Sequence, residues 1–292
     1  MSLPVVASTS SNSSAGTASV VVTAPTGIAI GDLLIGSYTS FRPAGTQTAL
    51  VPTGFTGINS VSMDGVKSTV IAFYKVAVLA DVSAPNYTFQ ATNADYMHAQ
   101  MLRITGAAAG SEITISEVDS ITTPASTTIS YTGASTPAVG QSLAVICAGG
   151  HSFSIAAVVT TSGYNSTPSV TWTERADLGN RDGANDGASH AVATGPYTGT
   201  TQFTQYGYET SLVFSFVGSI LFFINGPQNV TPDVSHLNIV PTLLGLTGAN
   251  NVAVSVAHLP IVPTISGVNT RVNNLVWTDE TKTPATWTTE IK

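Results

Sequence analysis

The chain repeats one strand-and-turn pattern twice. Pro25-Thr-Gly27-Ile-Ala-Ile-Gly31-Asp32-Leu33-Leu34-Ile35 opens one half, and Pro137-Ala-Val-Gly140-Gln141-Ser142-Leu143-Ala144-Val145 opens the other. In each, a Gly- and Pro-containing turn feeds a short apolar run, as a buried strand requires. A second matched turn follows, Pro52-Thr-Gly54-Phe55-Thr56 in the first half and Pro168-Ser-Val-Thr171-Trp172-Thr173 in the second. Each half closes on a hydrophobic run, Met101-Leu-Arg-Ile104-Thr105-Gly106 and Leu212-Val-Phe-Ser-Phe216-Val217-Gly218. The repeat predicts two similar halves, about 25–107 and 137–218. Whether they form one sandwich or two stays open at this point.

Strand signals dominate the rest of the sequence. Ser19-Val-Val-Val-Thr23, Thr69-Val-Ile-Ala-Phe-Tyr74, Thr127-Thr-Ile-Ser-Tyr131 and Leu143-Ala-Val-Ile-Cys147 are rich in β-branched and aromatic residues and are separated by Gly, Pro, Asn and Ser. Long stretches with helical apolar spacing are missing. The expected fold is all-β, a jelly-roll-like antiparallel β-sandwich over 19–224 built from the two halves. Residues 1–18, dominated by Ser, Thr, Ala and Gly, are expected to be a flexible arm. Asn225-Gly226-Pro227 is a strong turn and marks a boundary. Beyond it, 225–292 reads as a small C-terminal β-module whose thin core calls for docking or oligomerisation.

Composition narrows the function. With 43% apolar residues the 292-residue chain can build a full core, yet charged residues are 9%, well below the usual ~25%. Ser, Thr, Asn, Gln and Gly must therefore cover the surface, which suits close packing against neighbouring subunits. Net charge is −7 and the nine basic residues are scattered, so nothing neutralises phosphates and nucleic acid is excluded as a partner. Cys147 sits in an apolar run and reads as an inert core thiol, and the lack of disulfides fits synthesis in a reducing cytoplasm. The apolar run Leu212–Ile224 is too short and too interrupted to insert in a membrane as a helix.

Several motifs together carry a resemblance. Gly31-Asp32-Leu33-Leu34, Pro52-x-Gly54-Phe55-Thr56, Ala72-Phe73-Tyr74-Lys75-Val76-Ala77 and Tyr87-Thr-Phe89, with Trp172-Thr173-Glu174-Arg175 in the second half, resemble β-sandwich virion proteins of tailed bacteriophages and prophages. The closing Val276-Trp277-Thr278-Asp279 and Pro284-Ala-Thr-Trp287-Thr288 is similar to the ends of phage tail and head-appendage proteins. Phe55 stands where Trp is usual in that family, and Gly140-Gln141-Ser142-Leu143 lacks the Asp. The resemblance implies a non-enzymatic virion protein, a capsid decoration, head-fibre or tail-fibre component. It also implies a homotrimer in contact with major capsid or tail proteins.

Candidate sites are few. Asp177, Asn180, Asp182 and Asp186 put oxygen ligands into one stretch that is a possible calcium loop; no other cofactor is expected. Trp172, Tyr206 and Tyr208 are candidates for an exposed aromatic platform, which would make the protein a carbohydrate-binding adhesin for a host surface glycan. Leu243, Leu244, Val276, Trp277 and Trp287 are the expected docking residues, the two Trp as aromatic anchors. Gly149-Gly150-His151-Ser152-Phe153-Ser154 partly mimics a nucleophile elbow but has Ser where the last Gly is needed. No paired carboxylates or His ligand spacing point to an enzyme.

Overall fold

The computed structural model describes residues 3–107, 113–122, 126–135, 137, 141–152, 160–182, 186–199, 201–211 and 213–226. The docking candidates Leu243, Leu244, Val276, Trp277 and Trp287 lie outside the described residues, as does the expected C-terminal module beyond Gly226.

The fold is nearly all antiparallel β. The first half contains β1 (Val5–Ala15), β2 (Ser19–Thr23), β3 (Leu33–Phe41), β4 (Thr48–Ala49), β5 (Thr56–Met63), β6 (Ser68–Val76), the one-turn helix α1 (Leu79–Val82), β7 (Asn86–Thr92) and β8 (Tyr96–Thr105). The second contains β9 (Ile113–Thr122), β10 (Thr128–Ser135), β11 (Ser142–Ser152), β12 (Thr161–Thr167), β13 (Thr173–Asp182), β14 (Asp186–Tyr197), β15 (Phe203–Thr210) and β16 (Phe216–Asn225). The first half forms a five-stranded sheet in the order β1-β8-β3-β6-β5 and a three-stranded sheet β2-β7-β4. The second forms β9-β16-β11-β14-β13 and β10-β15-β12, the same order strand for strand.

The repeat is therefore a structural duplication, and it extends to register. Leu33 of β3 pairs with Ile104 of β8, and Leu143 of β11 pairs with Ile224 of β16. The irregularity between Gly57 and Asn59 in β5 recurs between Glu174 and Ala176 in β13. Two sequence expectations change here. The closing runs were matched too early: the partner of Ile104-Thr105-Gly106 is Ile224-Asn225-Gly226, at the end of β16. The halves are also longer than 25–107 and 137–218, running from β1 to β8 and from β9 to β16.

Four layers result. The two five-stranded sheets pack face to face, and each three-stranded sheet covers an outer face. β3 is buried on both faces along its whole length, apolar at Leu33–Ile35 and carrying the buried polar residues Ser37, Thr39 and Ser40 further on. Alternation assigns the faces: Leu33 and Ile35 point to the shared core with Leu143, Val145, Cys147, Ile220, Phe222 and Ile224, while Leu34 and Tyr38 point to the first half's own core with Phe73 and Phe89. β11 divides likewise, with Ala144, Ile146 and Ala148 facing Tyr206, Tyr208 and Phe223. Each half thus keeps a private core and contributes to a common one. Burying each large apolar side chain contributes about 1.5–3 kcal/mol.

The expected arm at 1–18 is instead largely β1, an edge strand paired with β8 from Val5 to Ala15. Its Ser/Asn pattern has a physical reason. Ser8, Ser10 and Asn12 donate from their side chains to the main-chain carbonyls of Thr26, Thr23 and Val21 at 2.8, 2.5 and 2.7 Å. Alternate polar side chains of β1 therefore close the open edge of β2 between the two sheets, a job that apolar residues cannot do.

Tyr38 secures the other edge of the small sheet. β4 pairs with β7 at Thr48–Thr92 and Ala49–Ala91, and then the chains part. The fully buried Tyr38 hydroxyl enters the gap, accepting the Leu50 N–H at 2.6 Å and lying 2.7 Å from the Gln90 carbonyl. Burial pushes its pKa upward. Tyr38→Phe is expected to lower the unfolding free energy by about 1–3 kcal/mol, because it strands buried main-chain groups. A chemical-denaturation midpoint that falls at unchanged slope is the measurement.

Candidate functional site

The aromatic platform expected from Trp172, Tyr206 and Tyr208 does not form. Tyr206 is 0% and Tyr208 1% exposed. They lie two apart on β15, the central strand of the outer sheet, so both face inward. Tyr206 stacks on Tyr131 with centroids 5.0 Å apart. Trp172 is half-buried, and its indole N–H donates to Ser166 Oγ at 3.3 Å. These rings are core and cover, and they offer no open face for a sugar.

The Asp/Asn stretch forms the ends of a hairpin, with few of its residues in a loop. Asp177 pairs with Ala191, Asn180 with Ala188 and Asp182 with Asp186. Asp177 and Asp182 are five residues apart along β13, roughly 16 Å, too far to share a cation whose ligands sit at about 2.3–2.6 Å. The Asp177 carboxylate instead accepts the Thr161 N–H at 2.8 Å, and burial raises its pKa. The side chains of Asn180, Asp182 and Asp186 lie outside what is described. Among the described residues no three His, Cys, Asp or Glu are grouped to hold a metal.

The elbow-like Gly149-Gly150-His151 is the end of β11, paired on both sides. His151 is fully buried and stacks between Phe41 and Phe216, at 4.7 and 4.9 Å between centroids. Its neighbours make it a core aromatic.

The shared core holds a polar seam that sequence reading missed. His190 of β14 is 0% exposed; its Nε2 lies 2.9 Å from Ser37 Oγ and its Nδ1 3.0 Å from Thr39 Oγ1, both on β3. His98 of β8, also buried, meets Ser13 Oγ through Nδ1 at 2.8 Å. Gln100 Nε2 donates to the Arg175 carbonyl at 2.7 Å, and Arg175 Nε donates to Thr194 Oγ1 at 2.8 Å. Ser37, Thr39 and Gln100 belong to one half and His190 and Arg175 to the other, so these bonds fix how the halves are set together. Burial holds His98 at about 4 and His190 at about 3, the latter helped by its neighbour His98. Cys147 meets Ser37, which meets His190, yet burial pushes the Cys147 thiol up to about 12. A reactive thiol needs the opposite shift, and the seam is closed to substrate.

An open concavity lies on the first half. A groove of about 410 Å3 runs between Leu50–Phe55 and β7, lined by Leu50, Val51, Phe55, Tyr87, Thr88 and Gln90 among others. Leu50 and Val51 are each 42% exposed. Phe55 stands edge-on to Tyr87 at 5.8 Å and beneath Lys75 Nζ at 5.2 Å. Lys75 is held by Asp81 at 2.7 Å, and Asp81 also accepts the Tyr87 hydroxyl at 3.1 Å and the Val78 N–H at 2.9 Å. Its lining includes Phe55 and Tyr87 of the motifs quoted above, but the groove itself depends on how short β4 is.

Fold and site together define an internally duplicated, all-β protein with a sealed polar seam and a groove on the first half. Comparison with protein-family models, with curated proteins and with solved structures finds no match.

Proposed function

We propose that this protein is a non-enzymatic structural component of the exterior of a tailed-phage virion, a capsid decoration, head-fibre or tail-fibre protein acting by subunit packing and surface presentation. The observation that carries the reading is the four-layer architecture. Three stacked cores hold most of the large apolar side chains among the described residues, and the described histidines His98, His151 and His190 are buried between layers. The outward faces are left to Ser, Thr, Asn and Gln, as on β1. We read the nested pairing of β1 with β8, β2 with β7 and β3 with β6 as a jelly-roll-like unit, repeated once. Assembly into a homotrimer, contact with major capsid or tail proteins and synthesis in the host cytoplasm belong to the same reading, which rests on the motif resemblance.

Immunogold labelling of purified particles with an antibody against this chain tests it. Label over the heads is expected for a decoration or head-fibre role, and label at the tail for a fibre. Particles without label would remove the virion reading.

A further inference from the structure

The two halves follow one strand order, so each is a control for the other, and they part at the outer edge of the small sheet. Val20 pairs with Phe89 and Val22 with Tyr87 in one half, Ile129 with Tyr208 and Tyr131 with Tyr206 in the other. Thr88 therefore corresponds to Gly207, and Ala91 to Thr210. Ala49 faces Ala91 as Thr161 faces Thr210. From there the connections differ in length: six residues, 50–55, lead to β5, whereas eleven, 162–172, lead to β13. The longer one continues β12 along β15 and sets Asn165 opposite Gly207. The shorter one crosses directly to β5, and the groove lies open beside Thr88.

The main chain along this groove is an open sheet edge. Ala91 N–H donates to the Ala18 carbonyl, and the Pro85 carbonyl accepts the Ala24 N–H. Odd-numbered residues of β7 therefore pair toward β2, and alternation turns the main-chain groups of Asn86 and Thr88 toward the groove. The Gln90 carbonyl is taken by the Tyr38 hydroxyl, where the β4–β7 pairing ends. Beyond it, no described strand pairs with Thr88 or Asn86 on the groove side. An edge of this kind is a template for strand addition. The lining of the groove carries no charged side chain, and Leu50, Val51 and Phe55 give it an apolar wall.

We propose that the β7 edge binds an extended, uncharged segment of a partner protein as an added strand, with alternate apolar side chains of that segment against Leu50, Val51 and Phe55. The form of the occupant is read from β12, the uncharged strand Thr161–Thr167 that fills this place in the second half. A groove walled by β7 on one side and by 50–55 on the other has room for a single strand, and it shuts out the edge of a second copy's sheet. The described strands of this chain are all placed in sheets of their own, so a copy has none of them free to lend. The inference stands independently of the virion reading.

Panning a displayed library of random linear peptides on the full chain tests this, followed by amide hydrogen exchange with the most enriched peptide. Uncharged peptides are expected to be enriched, and the bound peptide should slow exchange of the Thr88 amide at least tenfold. Thr88→Pro removes the N–H that faces the groove, at an edge position where proline is tolerated, and should weaken binding at least tenfold. Phe89 and Ala91, which pair toward β2, report whether that variant keeps its fold. Val51→Glu, at an exposed wall residue, puts a charge against the uncharged peptide and should weaken binding likewise. Peptides that bind the wild type and both variants equally would overturn the proposal, as would a library that yields none. A Thr88 amide already protected without peptide would overturn it too: the edge would then be filled by this chain itself, or by a second copy if protection grows with protein concentration.

Discussion

Acidification from pH 7 to about 4.5 is expected to cost this protein roughly 6–8 kcal/mol of unfolding free energy, most of what a domain has. His98 and His151 are held at about 4 and His190 at about 3, against 6.5 in the unfolded chain. A base with a depressed folded pKa is neutral in the fold and charged in the unfolded chain. Its contribution is whole above pH 6.5 and is lost progressively as pH falls toward the folded value. Over two pH units each histidine loses about 2–3 kcal/mol at 1.36 kcal/mol per unit. The groups facing them are accounted for: Asp64 lies 3.6 Å from His151 and partly offsets its burial, Lys67 works the other way, and His190 and His98 disfavour each other's charge.

Three carboxylates modify this modestly. Glu174 and Asp177, raised by burial, gain stability on acidification. Asp81 is lowered by Lys75 and the Val78 N–H despite its burial, and loses stability. Urea titrations at a series of pH values read the slope, which should approach 4 kcal/mol per unit, about 1.36 per histidine. His190→Asn should remove about a third of it. A flat profile between pH 6.5 and 4.5 would mean that the histidines are not sealed.

Gly149→Ala is the second large effect. At Gly149 the two five-stranded sheets approach closely: a Cβ there would sit 2.5 Å from Val70 Cγ2 and closer still to Thr39 Oγ1. Both neighbours are buried on rigid central strands of the opposite half, so relief requires the sheets to move apart or Thr39 to leave His190. Overpacking costs typically 1–3 kcal/mol, and the loss of the His190 contact adds about 1 more. A fall of about 2–4 kcal/mol by denaturant titration is expected. Gly218→Ala is the milder companion, because its nearest atoms are Val61 Cγ1 at 2.9 Å and the flexible Met63 Sδ at 3.0 Å.

What the sequence disclosed follows from which interactions leave a local trace. Turns such as Gly31-Asp32 and Pro52-Thr-Gly54 were legible because backbone geometry demands the residue type: Gly31 and Gly54 have φ of +90° and +82°. Asp32 has its own local reason, accepting the Ala29 N–H and the Arg103 guanidinium at 2.7 and 2.6 Å. In the second half that ion pair is replaced by Ser142 donating to Asn225 at 2.9 Å, so the missing Asp leaves the fold intact. β1 was not legible, because its stabilising bonds run to carbonyls of another strand and leave no apolar alternation. Tyr206 and Tyr208 misled because hydroxyl-bearing rings in a polar run look the same whether the strand is an edge or a centre. The buried histidines are scattered at 98, 151 and 190, and only the sheet pairing brings them between two layers.

The two halves form one body through the shared core and its polar seam. Native-state hydrogen exchange of β3 and β11 amides, with and without His190→Asn, tests that most directly. Opening free energies that are equal in the two strands and fall together in the variant are predicted. A variant that loosens β11 while leaving β3 unchanged would show two independently folding halves and contradict the account.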